Sequence, residues 1–380
     1  MRKSVLHNSG PKVIAWELTR RCALRCKHCR GSARDEAYEG ELSTDECKKV
    51  IDGIADYVKP VLILTGGEPM TRPDIYELAR YAADKGMRVV MAPCGHLITP
   101  ETARKLKEAG VQCISISIDG STPGKHDAFR GVEGAYARTM EGLQHAIDVG
   151  IQFQVNTTVT KLNVDDLPAI LQRAIELGAI TFDIFFLVPT GRAGALRDLE
   201  ISPEQAERAL QWAAEMAQTA PIRVKTTCAP HFARIVRQGP KSEAPAARPA
   251  CHPGAAGNGG HGHAQGHGGK RPVSTGGCMA GQGFVFISHQ GILQPCGFLD
   301  TASGDLRKAD FNFQRAYEES QVFQDLRDHA RYEGKCGACE FVHVCGGCRA
   351  RAYELTGDYL AEEPQCTYIP RRTRPQESTA

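Results

Sequence analysis

The stretch KVIAWELTRRCALRCKHC (12–29) runs from an apolar segment straight into three cysteines, Cys22, Cys26 and Cys29. Residues 12–19 read as a strand. The thiols that follow have the spacing Cys-x3-Cys-x2-Cys, an odd number on one short loop. Structural zinc takes four ligands, so a lone triplet leaves such a site short. A four-iron cluster has four irons to ligate, and three protein thiolates leave one iron open for something else.

The pattern downstream makes that strand the first of a repeat. Residues 43–58 read as a helix, with Ser43 and Glu46 forming a capping box and Cys47, Val50, Ile51, Ile54 and Val58 on one face. VLILTGGEP (61–69) is a second strand, followed by a helix with Pro73 near its first turn. RVVMAP (88–93) is a third strand, and Thr99-Pro100 opens a third helix. Further strands are expected at 113–120, 153–160 and 182–191, and helices at about 134–149, 165–177 and 203–219. Six β–α units with near-continuous apolar strands predict an α/β fold, a parallel sheet covered on both faces that closes wholly or in part into a barrel. Such barrels carry their chemistry at the carboxyl ends of the strands. The three cysteines lie there after the first strand, and Gly66-Gly67-Glu68-Pro69 after the second.

The repeat stops after about residue 236. The segment 239–277 is rich in Gly, Pro, Ala and His and reads as a flexible insertion; its His252, His261, His263 and His267 read as part of a polar tract. GFVFISHQGILQPCG (283–297) reads as a β-hairpin turning near His289-Gln290-Gly291. The remainder is short and cysteine-dense, as a small domain stapled by metal would be. Fifteen cysteines in 380 residues would suit a disulfide-bonded secreted protein, but such density belongs to small exported domains. The amino terminus lacks the apolar core of a secretory signal, and no apolar run reaches bilayer length. A cytoplasmic protein with ligating thiols is therefore expected. The formal net charge of +2 excludes a nucleic-acid or membrane partner recruited by bulk charge.

Cys22-x3-Cys26-x2-Cys29 after the first strand, with Gly66-Gly67-Glu68-Pro69 after the second, resembles the radical S-adenosylmethionine (SAM) enzymes over roughly residues 12–220. The resemblance implies a partial (β/α)6 TIM-type barrel and a [4Fe-4S] cluster whose open iron chelates SAM. It further implies that Gly66, Gly67 and Glu68 meet the methionine ammonium, that Ser117 and Asp119 meet the ribose, and that Asn156 and Val188 add contacts. Cys278-x12-Gly291-x4-Cys296, then Cys336-x2-Cys339-x5-Cys345-x2-Cys348 and Cys366, is similar to the SPASM extension of that family, with two residues rather than three before Cys348. By analogy Cys336, Cys339, Cys345 and Cys366 would hold one auxiliary [4Fe-4S] cluster. Cys278, Cys296 and Cys348 would hold a second, with Cys228 as fourth ligand, and Cys251 or an open or water-filled position as the alternatives. One or two such clusters are implied. Cys47, Cys94 and Cys113 read as core thiols. The implied domains are a barrel at 1–236, an insertion at 237–277, a SPASM domain at 278–370 and a tail at 371–380.

Stretches such as FLVPTGRAG and CGGCRARAYELTGDYLAEEPQC look like the haem-pathway members of the family. That likeness implies oxidative decarboxylation of two propionates of iron-coproporphyrin III to vinyls. Deacetylation of 12,18-didecarboxysiroheme, d1-type haem chemistry and, further off, peptide maturation remain open. An iron-porphyrin substrate and an electron donor such as a flavodoxin or ferredoxin follow as partners. A substrate bearing carboxylates calls for cations, with Arg192 as the first candidate and His231 and Arg130 behind it.

Overall fold

The computed structural model describes residues 10–239 and 276–373. Seven parallel strands follow in chain order: β1 (Val13–Thr19), β2 (Val61–Gly66), β3 (Arg88–Met91), β4 (Cys113–Ser117), β5 (Gln152–Val159), β6 (Thr181–Phe186) and β7 (Arg223–Thr227). The six strands expected from sequence are all present, and β7 is an addition. The helices between and after them are α1 (Thr44–Tyr57), α2 (Ile75–Asp84), α3 (Pro100–Glu108), α4 (Pro123–Arg130), α5 (Ala135–Asp148), α6 (Leu167–Glu176), α7 (Pro203–Thr219) and α8 (Phe232–Gln238). The Ser43–Glu46 capping box closes on both sides, with Ser43 N–H donating to Glu46 and Glu46 N–H to Ser43 Oγ. Pro100 occupies the first turn of α3 behind a capping Thr99.

The sheet is open. Its strand order is β10-β9-β8-β1-β2-β3-β4-β5-β6-β7, so β7 and β1 do not meet. The hairpin expected near 283–297 forms as β8 (Phe284–Ile287) and β9 (Ile292–Gln294), with β10 (Gly304–Asp305) beyond it. β8 lies parallel to β1, Val13 to Trp16 opposite Phe284 to Ile287. The cysteine-rich carboxyl-terminal part thus shares one sheet with the barrel. It continues through α9 (Phe313–Glu318), α10 (Gln321–Arg327), α11 (Gly334–Ala338) and α12 (Arg349–Thr356).

One face of the sheet carries the core, in which Ile14, Trp16, Leu64, Ile116, Val155, Phe182 and Ile184 pack against the helices. The other face is polar over the second half of the sheet, where side chains alternate. Ser117, Asn156, Asp183 and Lys225 stand in one register row across β4 to β7. Covered on both faces, these strands would read as continuous apolar runs. Here the concave side is a half-exposed polar cleft. Among the described residues no helix is long and apolar enough to cross a membrane.

Candidate active site

The loop 20–34 is gripped from three sides. From β2, Gly67 N–H donates to Thr19 O and Glu68 N–H to Arg21 O, each at 2.8 Å. A Cβ on Gly66 would sit 2.3 Å from Thr19 O, and one on Gly67 2.4 Å from both Arg20 O and Arg21 O. Only glycine lets the two loops touch there. From α4, Phe129 O accepts Lys27 N–H, and Arg130 reaches Cys26 Sγ at 3.6 Å. From the turn after β6, Arg192 donates its backbone N–H to Cys29 O, its Nε to Cys26 O and its Nη1 to Ala33 O. Gly191, at φ +56°, packs so closely that a Cβ would lie 2.0 Å from Arg30 O.

Cys22, Cys26 and Cys29 collect around Leu24, Ala33 and Ala135 at the carboxyl end of β1. Each sulfur receives a donor: Leu24 N–H on Cys22, Arg130 on Cys26 and Ala33 N–H on Cys29. Burial pushes the Cys22 thiol up to about 12, and Glu68 and the neighbouring thiols push the same way. Thiolates crowded like this need a cation among them. No three His, Cys, Asp or Glu side chains among the described residues are arranged to hold a single metal ion. Three spread thiols with N–H donors suit a cluster, whose irons span the gap.

Glu68 is almost fully buried beside them. Its Oε1 accepts Met70 N–H at 3.0 Å and its Oε2 accepts Cys94 N–H at 2.6 Å. Burial raises its pKa, against the pull of the Cys94 thiol and the two amides. A cationic group placed there would pair with the carboxylate and offset its burial, which fits the methionine ammonium of SAM. Cys94 accordingly stands against Glu68 and the triplet rather than in the main core, while Cys47 and Cys113 are core thiols as expected. His28, between Cys26 and Cys29 in the chain, stacks on Phe129 with centroids 4.4 Å apart.

Several residues stand elsewhere than the sequence suggests. Asp119 is buried in an ion pair with Arg130 and accepts Thr158 N–H at 2.8 Å. Asp119, Arg130 and Cys26 thus form a relay that holds the loop. Arg130 is buried, not a free cation for substrate. Arg192 is likewise committed to carbonyls of the cysteine loop; a basic residue after a strand shows its charge in the sequence but not the carbonyls waiting for it. Val188 packs with Cys228, Cys278, Cys296 and Cys348, away from the triplet. Ser117 and Asn156 lie half-buried on the polar cleft, where Asn156 accepts from Gln154 at 2.8 Å. Beside them Lys225, on the strand missed in sequence, pairs at 2.6 Å with buried Asp183.

The carboxyl-terminal thiols form two groups. Cys228, Cys278, Cys296 and Cys348 share one packed patch. Cys228 takes φ +62°, a conformation L residues avoid unless neighbours impose it. The Cys228–Cys348 hydrogen bond comes first in lowering Cys348 to about 7, against its burial. Burial pushes Cys296 up to about 12, with Cys278 and Cys348 adding to it. Cys251 and the four insertion histidines lie outside the described residues. The second group, Cys336, Cys339, Cys345 and Cys366, lines one cavity. Glu363 N–H donates to Cys336 Sγ, Phe341 N–H to Cys339 Sγ and Gly347 N–H to Cys345 Sγ. No disulfide joins the cysteines among the described residues. Glu363, which sequence gave no reason to single out, joins the groups: it also accepts Cys348 N–H at 2.7 Å and pairs with Arg351, both side chains wholly buried.

A strand ending in three thiols, a glycine-backed buried carboxylate after the next strand and an open parallel sheet define a radical SAM enzyme. The radical SAM superfamily model matches residues 16–174, and the chain belongs to that superfamily. It is an enzyme of haem biosynthesis, 48% identical to the AdoMet-dependent heme synthase of Nitratidesulfovibrio vulgaris over 96% of this chain and 94% of that one. It is 47% identical to the protein of the same name from Methanosarcina barkeri, over 95% and 98%. The Fe-coproporphyrin III synthase of Methanosarcina barkeri is 30% identical over 93% and 87%. Among solved structures, Streptococcus suis SuiB bound to S-adenosylmethionine has a similar fold, with TM-score 0.71, 15% identity and coverage of 95% of this chain and 78% of that one.

Proposed function

We propose that the enzyme converts two propionates of iron-coproporphyrin III to vinyl groups, giving haem b. The observation that carries this reading is the identity of 47–48%, over nearly the whole chain, to proteins named AdoMet-dependent heme synthase. Identity to the Fe-coproporphyrin III synthase is 30%, which makes the preceding type of step the less supported reading.

Cys22, Cys26 and Cys29 would hold a [4Fe-4S] cluster, and Glu68, on its glycine-backed loop, would meet the SAM ammonium. When bound, these groups would supply a 5′-deoxyadenosyl radical able to take a hydrogen atom from a substrate carbon. On the substrate, –CH2–CH2–COO⁻ loses one hydrogen atom from the carbon next to the ring, then CO2 and one electron, and becomes –CH=CH2. The hydrogen atom ends on 5′-deoxyadenosine. One electron enters for each SAM split and one leaves with each vinyl formed. An external donor such as a flavodoxin or ferredoxin would supply the first. Thiol groups Cys228/Cys278/Cys296/Cys348 and Cys336/Cys339/Cys345/Cys366, each with four sulfurs, suit auxiliary [4Fe-4S] clusters that would accept the second.

On the chain's side, the polar cleft supports the substrate. Ser117 and Asn156 offer hydrogen bonds on the side of SAM, and Lys225 offers an ammonium to a substrate carboxylate, held in place by its ion pair with Asp183. Arg130 and Arg192 hold the cysteine loop in place. The test is anaerobic reconstitution with iron and sulfide, then SAM, a strong reductant and iron-coproporphyrin III, with products followed by mass spectrometry. Stepwise loss of two formic-acid units with 5′-deoxyadenosine formed is expected. Deoxyadenosine without change in the porphyrin would overturn the substrate assignment.

A further inference from the structure

His231 is 1% exposed, and neither ring nitrogen has a hydrogen-bond partner. An orphaned buried N–H costs about 1–3 kcal/mol, and native proteins rarely tolerate one without a partner. The ring lines the cavity formed by Cys336, Cys339, Cys345 and Cys366. Arg234, one turn on in α8, lines the same cavity. Its outer nitrogens are taken by Gln238 and Glu207, and its Nε is also buried without a partner. Two unpartnered donors therefore border a space walled by four sulfurs. Its occupant has to be rich in acceptors, as the sulfides of an iron–sulfur cluster are.

We propose that His231 donates a ring N–H to a sulfur of the cluster held by Cys336, Cys339, Cys345 and Cys366 and thereby raises that centre's reduction potential. The proposal rests on the auxiliary-cluster reading above. A donor dipole aimed at a sulfur favours the reduced, more negative cluster, and hydrogen bonds to sulfur are among the factors that set such potentials. Burial holds the imidazole neutral, with its pKa at about 4 against the pull of Glu363, so the ring contributes a dipole rather than a charge. Position gives the interaction its use. His231 lies three residues after Cys228, which belongs to the other thiol group, so one short turn touches both. Raising the potential of the Cys336 group's centre favours electron flow from the Cys228 group towards it.

The test uses the full chain, reconstituted anaerobically, with C22A/C26A/C29A as background so that only auxiliary centres give signals. H231F, H231L and H231Q are compared with that parent by iron and sulfide content, potentiometric titration followed by electron paramagnetic resonance, and nitrogen hyperfine spectroscopy. In H231F and H231L one auxiliary centre should move to lower potential, its reduced-to-oxidised ratio falling about tenfold at fixed potential, which is about 59 mV for one electron. A weak nitrogen coupling should disappear with it. H231Q, which keeps an N–H donor, should recover at least half of the shift. Unchanged potentials with intact iron in both H231F and H231L would overturn the proposal, as would a strong coupling in the parent, which would make His231 a ligand. A parent with no iron beyond background would instead overturn the auxiliary-cluster reading itself.

Discussion

Replacing Asp119 by asparagine separates two roles for one carboxylate. The side chain is buried, pairs with Arg130 and accepts Thr158 N–H through Oδ1. Asparagine keeps the volume and can keep the Thr158 bond, but D119N removes the charge and sets an amide NH2 in place of the oxygen that faces Arg130. Arg130 is then a buried guanidinium left beside Cys26 Sγ at 3.6 Å. Breaking a buried pair from one side costs about 3–5 kcal/mol, because the other charge stays behind. At about 2.1 cal/mol/K per residue over 380 residues, the unfolding entropy is roughly 0.8 kcal/mol/K, so the melting temperature should fall by about 4–6 °C. The assay is circular dichroism of the apo chain, followed by iron content after reconstitution. Both should fall, since Arg130 fixes Cys26. An unchanged melting temperature and full iron, with only a raised KM for SAM, would refute the relay and return Asp119 to a ribose contact.

G191A should lower iron retention at the triplet, because its Cβ would land 2.0 Å from Arg30 O at a positive φ; iron per chain checks this. R351M strands Glu363 and should cost about 3–5 kcal/mol, whereas R351M/E363M should recover much of it; denaturant unfolding of the two variants decides. K225M should weaken iron-coproporphyrin III binding, seen as a change in the porphyrin's absorbance titration, while SAM cleavage without substrate stays near the parental rate. Burial pushes Glu17 up, but Arg30, His289 and Arg20 more than offset this and hold it at about 2, against 4.5 ordinarily. Its stabilisation, on the order of 3 kcal/mol, is therefore full above about pH 4.5 and lost as pH falls towards 2. Apo E17Q should show a flatter fall in stability than the parent between pH 5 and 3.

The fold was legible where one face of each element had to be apolar: α1 and β1 to β6 announce themselves by period and by their caps. β7 was hidden because Arg223, Lys225 and Thr227 face the cleft and only Val224 is buried, so no apolar run marks it. The grouping of the thiols could be read from their spacing, and the structure packs Cys228 with Cys278, Cys296 and Cys348 across the long insertion. Arg192, Arg130 and Asp119 have partners in the fold that the sequence did not show, for a single reason. A charged side chain in sequence shows its charge but not whether a carbonyl, a thiol or an opposite charge waits for it in the fold. Val188 differs because its place after β6 faces the thiol patch rather than the triplet.

The parallel pairing of β8 with β1 ties the loop that carries Cys22 and the hairpin that leads to Cys296 into one sheet. β1 delivers Cys22 at its carboxyl end, and the hairpin begun by β8 delivers Cys296. Main-chain hydrogen bonds run between the two strands, so neither group of thiols can swing without tearing the sheet. Electron tunnelling falls off steeply with separation, and a hinged arrangement would let every breathing motion of the protein reset the rate. Two centres tied to one sheet in this way would keep their separation from one turnover to the next.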